Sequence, residues 1–469
     1  MHPRQQDKTA VLLQADSFPK SAHAPLRPLR SIFKEKPGKR RLLIGIPAAL
    51  GACLGFGAVA WADDEAVFKT AKQYTVKVRT QVSVPFSGDK KGAWIGAGFL
   101  VDKDRGWIVT NAHVATRSHS VVRVAFHDGE YVPVRKVFVD PYVDLAVLEL
   151  PEQARHPAMA GAQLDCRSVP DVGHPVGAFG HPWRLHFTGT RGIVSGRTAK
   201  YEGMIEMIQA DAPMDPGNSG GPLVSLKTGK VVGINTARRR NSQGTNFAVP
   251  ISQACRVLDL LRANADPSPP DLPVSFLHDP EEPRKLVVAK VHEDEPTLGL
   301  REGDVIVGIA GEEMKIANRG HLLHALRGRG KSVQLRVQRG GEEAVVPVEL
   351  KPAARMTERR GVQASGMLLA PFPHRGLGGI LRKRSSLVVH DVEGGSEAQS
   401  EYVDGMDVLV SVDGAEVDTM DDLYGRLKGA AGRKVLFKFI RLDPLNPDLF
   451  SYTEARLPIA DLRWIGPSQ

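Results

Sequence analysis

Cysteine and aromatic residues are scarce in this sequence. Its 469 residues include 3 Cys, and 6% are aromatic. Because only Cys166 and Cys255 lie beyond residue 62, a disulfide-rich scaffold is excluded. A single bridge could form in an oxidising compartment, but two free thiols, buried or half-buried, are the interpretation that we favour.

Beyond its first 41 residues, the chain has almost no net charge. The formal net charge is +9, yet residues 1–41 hold 10 basic and 3 acidic residues, while the remainder holds 52 and 50. A surface that binds nucleic acid needs its charge in the folded part, so we expect no nucleic-acid partner. A basic tail ahead of an apolar segment is instead typical of targeting.

The segment that follows this tail has no charged side chain. Residues 42–62 are 21 uncharged positions, enough for a helix to cross a hydrocarbon core of about 30 Å. Three interpretations stay open: a cleaved signal peptide ending at Ala60-Trp61-Ala62, an uncleaved membrane anchor, and a lipoprotein box ending at Cys53. Each of them exports the remainder, so we expect a periplasmic protein that is soluble or anchored to the inner membrane.

The length and the turn-rich composition predict several strand-rich domains. The chain contains 47 Gly and 33 Pro, and short apolar runs alternate with turns over about residues 66–262. Apolar positions at helical spacing predict a closing helix over 251–263. We assign residues 63–264 to an all-β domain and the proline-rich stretch 265–273 to a semi-rigid linker.

The C-terminal part repeats one pattern at a spacing of about 103 residues. Residues 301–311 and 403–414 each contain an Asp that is followed by apolar residues and, seven positions later, by a Gly. A helical stretch and a strand follow in each copy. The sequence therefore predicts two homologous small domains, at 274–352 and 361–460, rather than a solenoid.

Ser219 lies in a glycine-dense segment, residues 215–223, with the sequence DPGNSGGPL. Glycine lets backbone N–H groups approach a substrate carbonyl with no Cβ in the way. We predict Ser219 as a nucleophile and Gly217, Asn218 and Ser219 as the residues of an oxyanion hole. Taken alone, such a loop is more often a plain turn, and only its combination with two further motifs favours catalysis.

These further motifs contain His113 and Asp144. His113 follows the apolar run 107–110 in a turn of small residues, and Asp144 precedes the apolar run 145–148. Acyl transfer needs a base for the nucleophile's proton and an acid that orients the base. A carboxylate at the start of a buried strand needs a partner, and His113 can be that partner. We predict His113 and Asp144 as these two groups, and Asp140 as a turn-capping residue.

The three motifs together resemble those of the HtrA/Deg family of trypsin-like serine proteases with C-terminal PDZ domains. The patterns T-N-x-H-V, D-L-A-x-L and G-N-S-G-G-P-L occur in this order, with separations of 31 and 75 residues between His113, Asp144 and Ser219. The resemblance covers about residues 66–460. It implies a mainly β fold, in which a chymotrypsin-like double β-barrel protease domain is followed by two small α+β PDZ-like domains.

The resemblance also implies function and partners. It implies an endopeptidase of the cell envelope that cleaves misfolded or unfolded exported proteins, is regulated by PDZ domains, and forms a homotrimer or a larger homo-oligomer. The alternative is a PDZ-based peptide-binding holding chaperone with minor proteolysis, against which the complete triad argues. We expect no cofactor and no metal, since His174, His181 and His186 lack the spacing and partners of metal ligands.

Two regulatory features follow from the same resemblance. Arg197 is expected in a loop that senses ligand occupancy and helps to set the oxyanion loop. The segment Gly366-Met367-Leu368-Leu369 is a candidate for capturing a peptide C-terminus by strand addition. The first repeat has no obvious counterpart near residues 271–278, so which repeat binds peptide stays open. Asp215 departs from the family pattern, where Asn or Ser is more usual.

Overall fold

The computed structural model describes residues 63–127, 129–167, 169–198, 205–238, 244–272, 274–277, 285–291, 299–371, 387–443 and 449–467. All of them belong to one unit that spans Ala60–Gln469. The predicted basic tail (1–41) and the predicted signal peptide or anchor (42–62) lie outside the described residues. Within the part of the chain that is described, no helix is long and apolar enough to cross a bilayer.

Two closed six-stranded antiparallel barrels form the first domain, which confirms the predicted mainly β, chymotrypsin-like fold. The first barrel has the strand order β1-β2-β3-β6-β5-β4 and consists of β1 (Thr75–Val82), β2 (Gly92–Asp102), β3 (Trp107–Thr110), β4 (Ser120–Phe126), β5 (Val132–Asp140) and β6 (Leu145–Glu149). The second has the order β10-β11-β12-β9-β8-β7 and consists of β7 (Pro175–Gly180), β8 (Thr188–Thr198), β9 (Met207–Ala210), β10 (Pro222–Ser225), β11 (Val231–Arg238) and β12 (Asn246–Pro250).

Three helices accompany the barrels: α1 (Asp64–Tyr74), α2 (Ala112–Ala115) and α3 (Ile251–Arg262). Short 3-10 turns cover Glu152–Ala154 and Pro182–Arg184. Apolar side chains that face inward from the strands fill the barrel core. In β1, for example, Val76 and Val78 are fully buried in the core while Arg79 is exposed. Helix α3, the predicted closing helix, buries Val257 and Leu258 against the same core.

The described residues of the first α+β domain form a five-stranded sheet and one helix. The sheet follows the order β14 (Val274–Phe276), β15 (Leu286–Val291), β16 (Val305–Ile309), β17 (Ser332–Arg339) and β18 (Glu342–Glu349), and the helix is α4 (Arg319–Leu326). The predicted linker 265–273 is not a plain spacer. Its strand β13 (Pro270–Asp271) pairs with β19 (Lys351–Pro352), which brings the two ends of this domain together.

The second α+β domain follows a 3-10 turn at Met356–Glu358. Its strands are β20 (Gly361–Ala364), β21 (Met367–Pro371), β22 (Leu387–Val392), β23 (Val408–Val412), β24 (Ala415–Glu416), β25 (Lys434–Leu442), β26 (Phe450–Pro458) and β27 (Arg463–Ile465), and its described helices are α5 (Glu397–Ser400) and α6 (Met420–Gly429). The main path of the sheet is β26-β25-β23-β22-β21-β20-β27. The predicted boundary at residue 460 is wrong, because β27 pairs with β20.

Each of the two predicted repeats contains an ion pair of the same kind, in which an arginine is bonded to a buried aspartate. Asp304, which is 1% exposed, accepts hydrogen bonds from the guanidinium of Arg339 at 2.8 Å. Asp407, also 1% exposed, accepts equivalent bonds from Arg441 at 2.8 and 2.6 Å. In both copies the Asp lies just before the strand that the repeat pattern predicts, and the Arg lies on the strand that follows the helix. The repeated Asp therefore has the same structural role in both domains.

Cys166 and Cys255 form a disulfide bond. The two residues are 89 positions apart in sequence, but their Cα atoms lie 5.9 Å apart, because helix α3 packs beside the segment that precedes β7. The favoured interpretation of two free thiols is therefore wrong. Spacing in sequence gives no information on such a pairing, whereas the bond itself agrees with an oxidising compartment.

Candidate active site

His113 and Asp144 lie at the ends of neighbouring strands. His113 belongs to α2, directly after β3, and Asp144 directly precedes β6, which pairs with β3. The Nδ1 atom of His113 lies 2.8 Å from Oδ2 of Asp144, and the backbone N–H of His113 donates to Oδ1 at 2.9 Å. The carboxylate therefore orients the imidazole through both of its oxygens.

The backbone of Asp144 has φ = 52°, a left-handed conformation that is uncommon outside glycine. The side-chain amide of Asn111 donates to the carbonyl of Asp144 at 2.9 Å and holds this turn. Burial raises the pKa of the Asp144 carboxyl, but the charge of His113 and hydrogen bonds from His113 and Thr236 outweigh it, so its pKa is below the usual value. Asp144 is therefore ionised near neutral pH.

Asp140 caps the turn that leads to Asp144, as predicted. Its Oδ1 accepts from the N–H of Tyr142 at 2.8 Å and from that of Val143 at 3.4 Å. Its Oδ2 is bonded to the guanidinium of Arg327, a residue of the first α+β domain, and both side chains are 0% exposed. Sequence reasoning missed this second contact, because the partner is 187 positions away.

Ser219 lies between the two barrels, in the loop that precedes β10. Its carbonyl accepts from the N–H of Ala97 on β2 at 2.8 Å, and its hydroxyl donates to the carbonyl of Thr236 at 3.0 Å. The hydroxyl of Thr236 in turn donates to Oδ2 of Asp144 at 2.5 Å. One residue of β11 thus contacts both the predicted nucleophile and the predicted acid.

Thr236 is the main functional residue that sequence reasoning missed. No motif in the sequence marks Thr236. Its place is decided by the pairing of β11 with β10, which brings the end of β11 beside Ser219.

The loop before Ser219 has the backbone that an oxyanion hole requires. Gly217 has φ = 115°, and a Cβ there would lie 2.2 Å from the carbonyl oxygen of His181, so only glycine fits. The N–H of Asn218 donates to the carbonyl of Asp215 at 3.0 Å and is therefore not available to a substrate. Within the described chain, the N–H groups of Gly217 and Ser219 donate to no protein atom.

A cavity of about 190 Å³ lies beside Ser219. It is lined by Met214, Asp215, Pro216, Asn218, Ser219, Asn235 and Thr236. This volume equals roughly six water molecules in the liquid, which is enough for one side chain of a bound polypeptide.

Arg197 lies on β8, and its guanidinium is bonded to the segment that precedes β7. It donates to the carbonyl of Val169 at 2.6 Å and to that of Pro170 at 3.4 Å, and it lies 3.7 Å from the carboxylate of Asp171. These contacts connect two loops of the second barrel. They do not involve the loop that contains Gly217 and Ser219.

The candidate peptide-binding segment does not offer an open strand edge. Met367, Leu368 and Leu369 pair with β20 on one side and with β22 on the other, and each is no more than 1% exposed. Gly366 forms the tight turn between β20 and β21, with φ = 81°. The expectation that a peptide adds to these residues is not met, because β20 already occupies that edge.

Comparison with known proteins agrees with this geometry. Residues 96–234, which contain His113, Asp144 and Ser219, match the family model of the trypsin-like peptidase domain. A probable periplasmic serine endoprotease DegP-like of Chlamydia pneumoniae is 30% identical over 382 residues, which cover 76% of this chain and 77% of that protein. The chain belongs to the DegP/HtrA family of serine endoproteases.

Further relatives place this DegP/HtrA protein in the same group. A putative serine protease HhoA of Synechocystis sp. is 33% identical over 56% of this chain and 71% of that protein. The solved structure of an HtrA-type protease, AlgW with tripeptide, is 26% identical, has a TM-score of 0.50, and covers 62% of this chain and 97% of that one. The protein is a serine endopeptidase, and the resemblance of its motifs to those of the HtrA/Deg serine proteases is confirmed. Among the described residues, no cluster of three or more His, Cys, Asp or Glu could hold a metal ion.

Proposed function

We propose that His113, Asp144 and Ser219 form the catalytic triad and that the enzyme cleaves misfolded or unfolded exported proteins. The observation that carries the proposal is a chain of hydrogen bonds that links the three residues: Nδ1 of His113 is bonded to Asp144, the hydroxyl of Thr236 donates to Asp144, and the hydroxyl of Ser219 donates to the carbonyl of Thr236. The periplasmic description of the relative from Chlamydia pneumoniae and the disulfide support an exported protein. Anchoring to the inner membrane is proposed from residues 42–62 alone.

In the proposed mechanism, the hydroxyl of Ser219 turns away from the carbonyl of Thr236 and gives its proton to Nε2 of His113. The oxygen then attacks the scissile carbonyl. Asp144, which accepts from Nδ1 of His113, fixes the tautomer and stabilises the imidazolium. His113 next protonates the leaving amine, and water resolves the acyl-enzyme by the same route in reverse.

The N–H groups of Gly217 and Ser219 are the proposed oxyanion donors. Each such donor contributes about 3–4 kcal/mol to the stabilisation of the transition state in comparable enzymes. Asn218 is left out of this role because its N–H donates within the loop. The cavity beside Ser219 would hold the side chain that precedes the scissile bond.

The decisive experiment is the substitution Ser219→Ala in the exported chain. We expect it to abolish cleavage of casein, an unfolded test protein, and to abolish labelling by a fluorophosphonate. Ser400→Ala, at a serine of helix α5 in the second α+β domain, is the control and should leave both unchanged. Retained cleavage in the Ser219→Ala variant would refute the assignment.

The second candidate is a holding chaperone that binds peptides and rarely cleaves them. The two α+β domains, which we infer to be PDZ-like and to bind peptide segments of substrates, favour it. Labelling of Ser219 at the rate of ordinary serine proteases would argue against it. A homotrimer or larger assembly is part of the main proposal, and light scattering on the chain from residue 63 tests it.

We propose Arg197 as a regulatory residue because its guanidinium is bonded to the loop at residues 169–171. This loop precedes β7, and the residue after β7, His181, donates its N–H to the carbonyl of Gly217 at 3.1 Å. We expect Arg197→Ala to change the rate of peptide-stimulated cleavage more than Arg191→Ala, at an exposed arginine of the same strand. If wild type and Arg197→Ala have the same basal rate and the same peptide-stimulated rate, Arg197 is not a regulatory residue.

A further inference from the structure

Lys136 carries a positive charge on the inward face of a barrel strand. On β5 it shares this face with Val132 and Val134, whose side chains pack against the hydrophobic core. Removing an ammonium group from water is costly unless oxygen atoms bond it. A lysine at this position of β5, in place of a third apolar residue, therefore needs acceptors close by.

The ammonium of Lys136, which is half-buried, has three such acceptors in the segment that follows helix α2. It donates to the carbonyl of Thr116 at 3.4 Å, to the carbonyl of Ser118, and to the hydroxyl of Ser120 at 3.0 Å. An ammonium group has three N–H donors, so all of them are used. Ser120 in turn donates to the carbonyl of Ala115, the last residue of α2, at 3.2 Å.

Thr116, the first residue after α2, has a strained backbone. Its φ of 69° and ψ of 154° lie in a region that is essentially reserved for glycine, and such a conformation persists only where the surrounding structure holds it. Thr116 is fully buried, and its hydroxyl donates to the carbonyl of Ser118 at 3.0 Å, the same oxygen that Lys136 bonds. The bonds of Lys136 are therefore part of what holds the chain in this conformation.

Lys136 also connects this segment to the strand that leads to Asp144. β5 pairs with β6, and it ends at Asp140, where the turn to Asp144 begins. His113 lies in the four-residue helix α2, directly before the segment, and its Nδ1 is 2.8 Å from Oδ2 of Asp144. One side chain thus joins the two elements whose separation sets this distance.

We propose that Lys136 is a positioning residue that holds α2, and with it the imidazole of His113, at hydrogen-bonding distance from Asp144. This role rests on the proposed triad, which it extends by one supporting residue. Lys136 acts through the segment at residues 116–120 and takes no part in proton transfer. The cavity proposed for the substrate side chain is lined by residues of the second barrel, so Lys136 affects turnover and leaves substrate affinity unchanged.

The charge of Lys136 depends on pH in the alkaline range. Burial lowers the pKa of Lys136 to about 8, although the negative charge of Asp89 on the β1–β2 loop opposes this effect. Two further groups of this cluster keep their charge state near pH 8, because burial lowers the pKa of His119, which is neutral there, and that of Arg359 only to about 10. A neutral amine has two N–H donors for three acceptors, so deprotonation of Lys136 removes one of its bonds.

The test compares the steady-state kinetics of variants of the full chain on a chromogenic peptide. We expect Lys136→Met, which keeps an aliphatic side chain, to lower kcat by roughly 10- to 100-fold and to leave KM unchanged within about twofold, because small displacements of a catalytic group have large effects on rate. Lys136→Arg should recover most of the loss. Arg135→Met is the matched control: Arg135 is the exposed neighbour of Lys136 on β5 and donates to Glu149 at 2.9 Å, and its loss should leave kcat unchanged.

A pH profile tests the same role in the wild type. We expect its kcat to fall by about threefold between about pH 7.5 and 9.5, as one hydrogen bond of Lys136 is lost. In Lys136→Arg, whose guanidinium stays protonated, this decline should be absent. If Lys136→Met does not fold, as judged by its melting curve, the two profiles decide: the same decline in both proteins, or none in the wild type, would overturn the proposal.

Ser219→Ala separates a failure of this role from a failure of the triad. If Ser219→Ala retains cleavage, the triad itself is wrong, and the role of Lys136 falls with it. If Ser219→Ala is inactive while Lys136→Met has the kcat of the parent chain, or differs from it only in KM, the triad stands and the role of Lys136 is refuted.

Discussion

Thr236 joins the two halves of the candidate active site at the level of single residues. Its hydroxyl donates to Asp144 and its carbonyl accepts from Ser219. The first contact helps to keep the carboxylate ionised. The second holds the Ser219 hydroxyl in the conformation described here. Both contacts depend on the position of this one residue of β11. The first acts on Asp144 and the second on Ser219, which are two different members of the proposed triad.

We expect Thr236→Val to lower kcat/KM by roughly 10- to 100-fold, because a hydrogen bond to a charged group contributes about 1.5–3 kcal/mol. The carbonyl of residue 236 remains, so only the contact with Asp144 is lost. Kinetics on a chromogenic peptide measure the effect. Thr236→Ser, which restores the hydroxyl, should recover most of the activity, and no recovery would mean that packing rather than the hydrogen bond is responsible.

His113, Asp144 and Ser219 could be predicted from sequence because three contiguous motifs occur together in one order, although each motif alone would be weak evidence. Thr236 and Arg327 could not. Each acts through contacts with residues far away in sequence, and neither lies in a pattern that distinguishes it from an ordinary strand or helix-end residue.

At the scale of elements, the end of helix α4 is anchored in the protease domain. Arg327, the residue that follows α4, bonds the carboxylate of Asp140 and donates to the carbonyl of Pro267 at 2.6 Å. The carbonyl of Arg327 accepts from Arg256 of helix α3 at 2.9 Å. Since Asp140 caps the turn that presents Asp144, the first α+β domain supports that turn directly.

We expect Arg327→Met to destabilise the protein by about 3–5 kcal/mol, because it leaves the buried carboxylate of Asp140 without its partner. Urea unfolding in the Ser219→Ala background measures the loss. Combination with Asp140→Asn, which keeps the turn-capping oxygen, should recover much of it. Arg329→Met removes a partly exposed pair with Glu312 and should cost less than about 1 kcal/mol. Equal losses for the two arginines would contradict this account.

At the scale of the whole molecule, Phe86 joins the first barrel to the second α+β domain. Its side chain is 0% exposed and lies against the rings of His119 and His390 and under the guanidinium of Arg359, 4.1 Å away. The N–H of Ser87 donates to Nδ1 of His390 at 3.1 Å. This bond requires the neutral imidazole, since a protonated Nδ1 cannot accept.

Burial, and then the charge of Arg359, lower the pKa of His390 to about 4. The unfolded chain, with a histidine pKa near 6.5, binds the proton first as pH falls, so stability decreases between about pH 6.5 and 4. We expect this residue to account for about 2 kcal/mol of the loss between pH 7 and 4.5. Urea unfolding at a series of pH values, at constant ionic strength, measures it.

His390→Asn keeps an acceptor for Ser87 and removes the titration, so its stability should decline less steeply below pH 6.5. His119 adds to the same effect, because burial lowers its pKa and both Lys136 and Arg359 oppose its protonation. If the free energy of unfolding falls with the same slope in wild type and in His390→Asn, the contact between the first barrel and the second α+β domain does not titrate.

The sequence alone determined an all-β first domain, the two repeats with their shared Asp, and the three residues of the proposed triad, and the double barrel followed from the resemblance of the motifs to a known family. These features are local: alternating strands, a repeated pattern and contiguous motifs each carry their information within a few residues. Only the tertiary structure decided the Cys166–Cys255 bond, the pairing of β27 with β20, and the contacts of Arg327 and Phe86. These depend on which distant surfaces meet when buried area, charge and backbone hydrogen bonds are satisfied together, and no short segment encodes that choice.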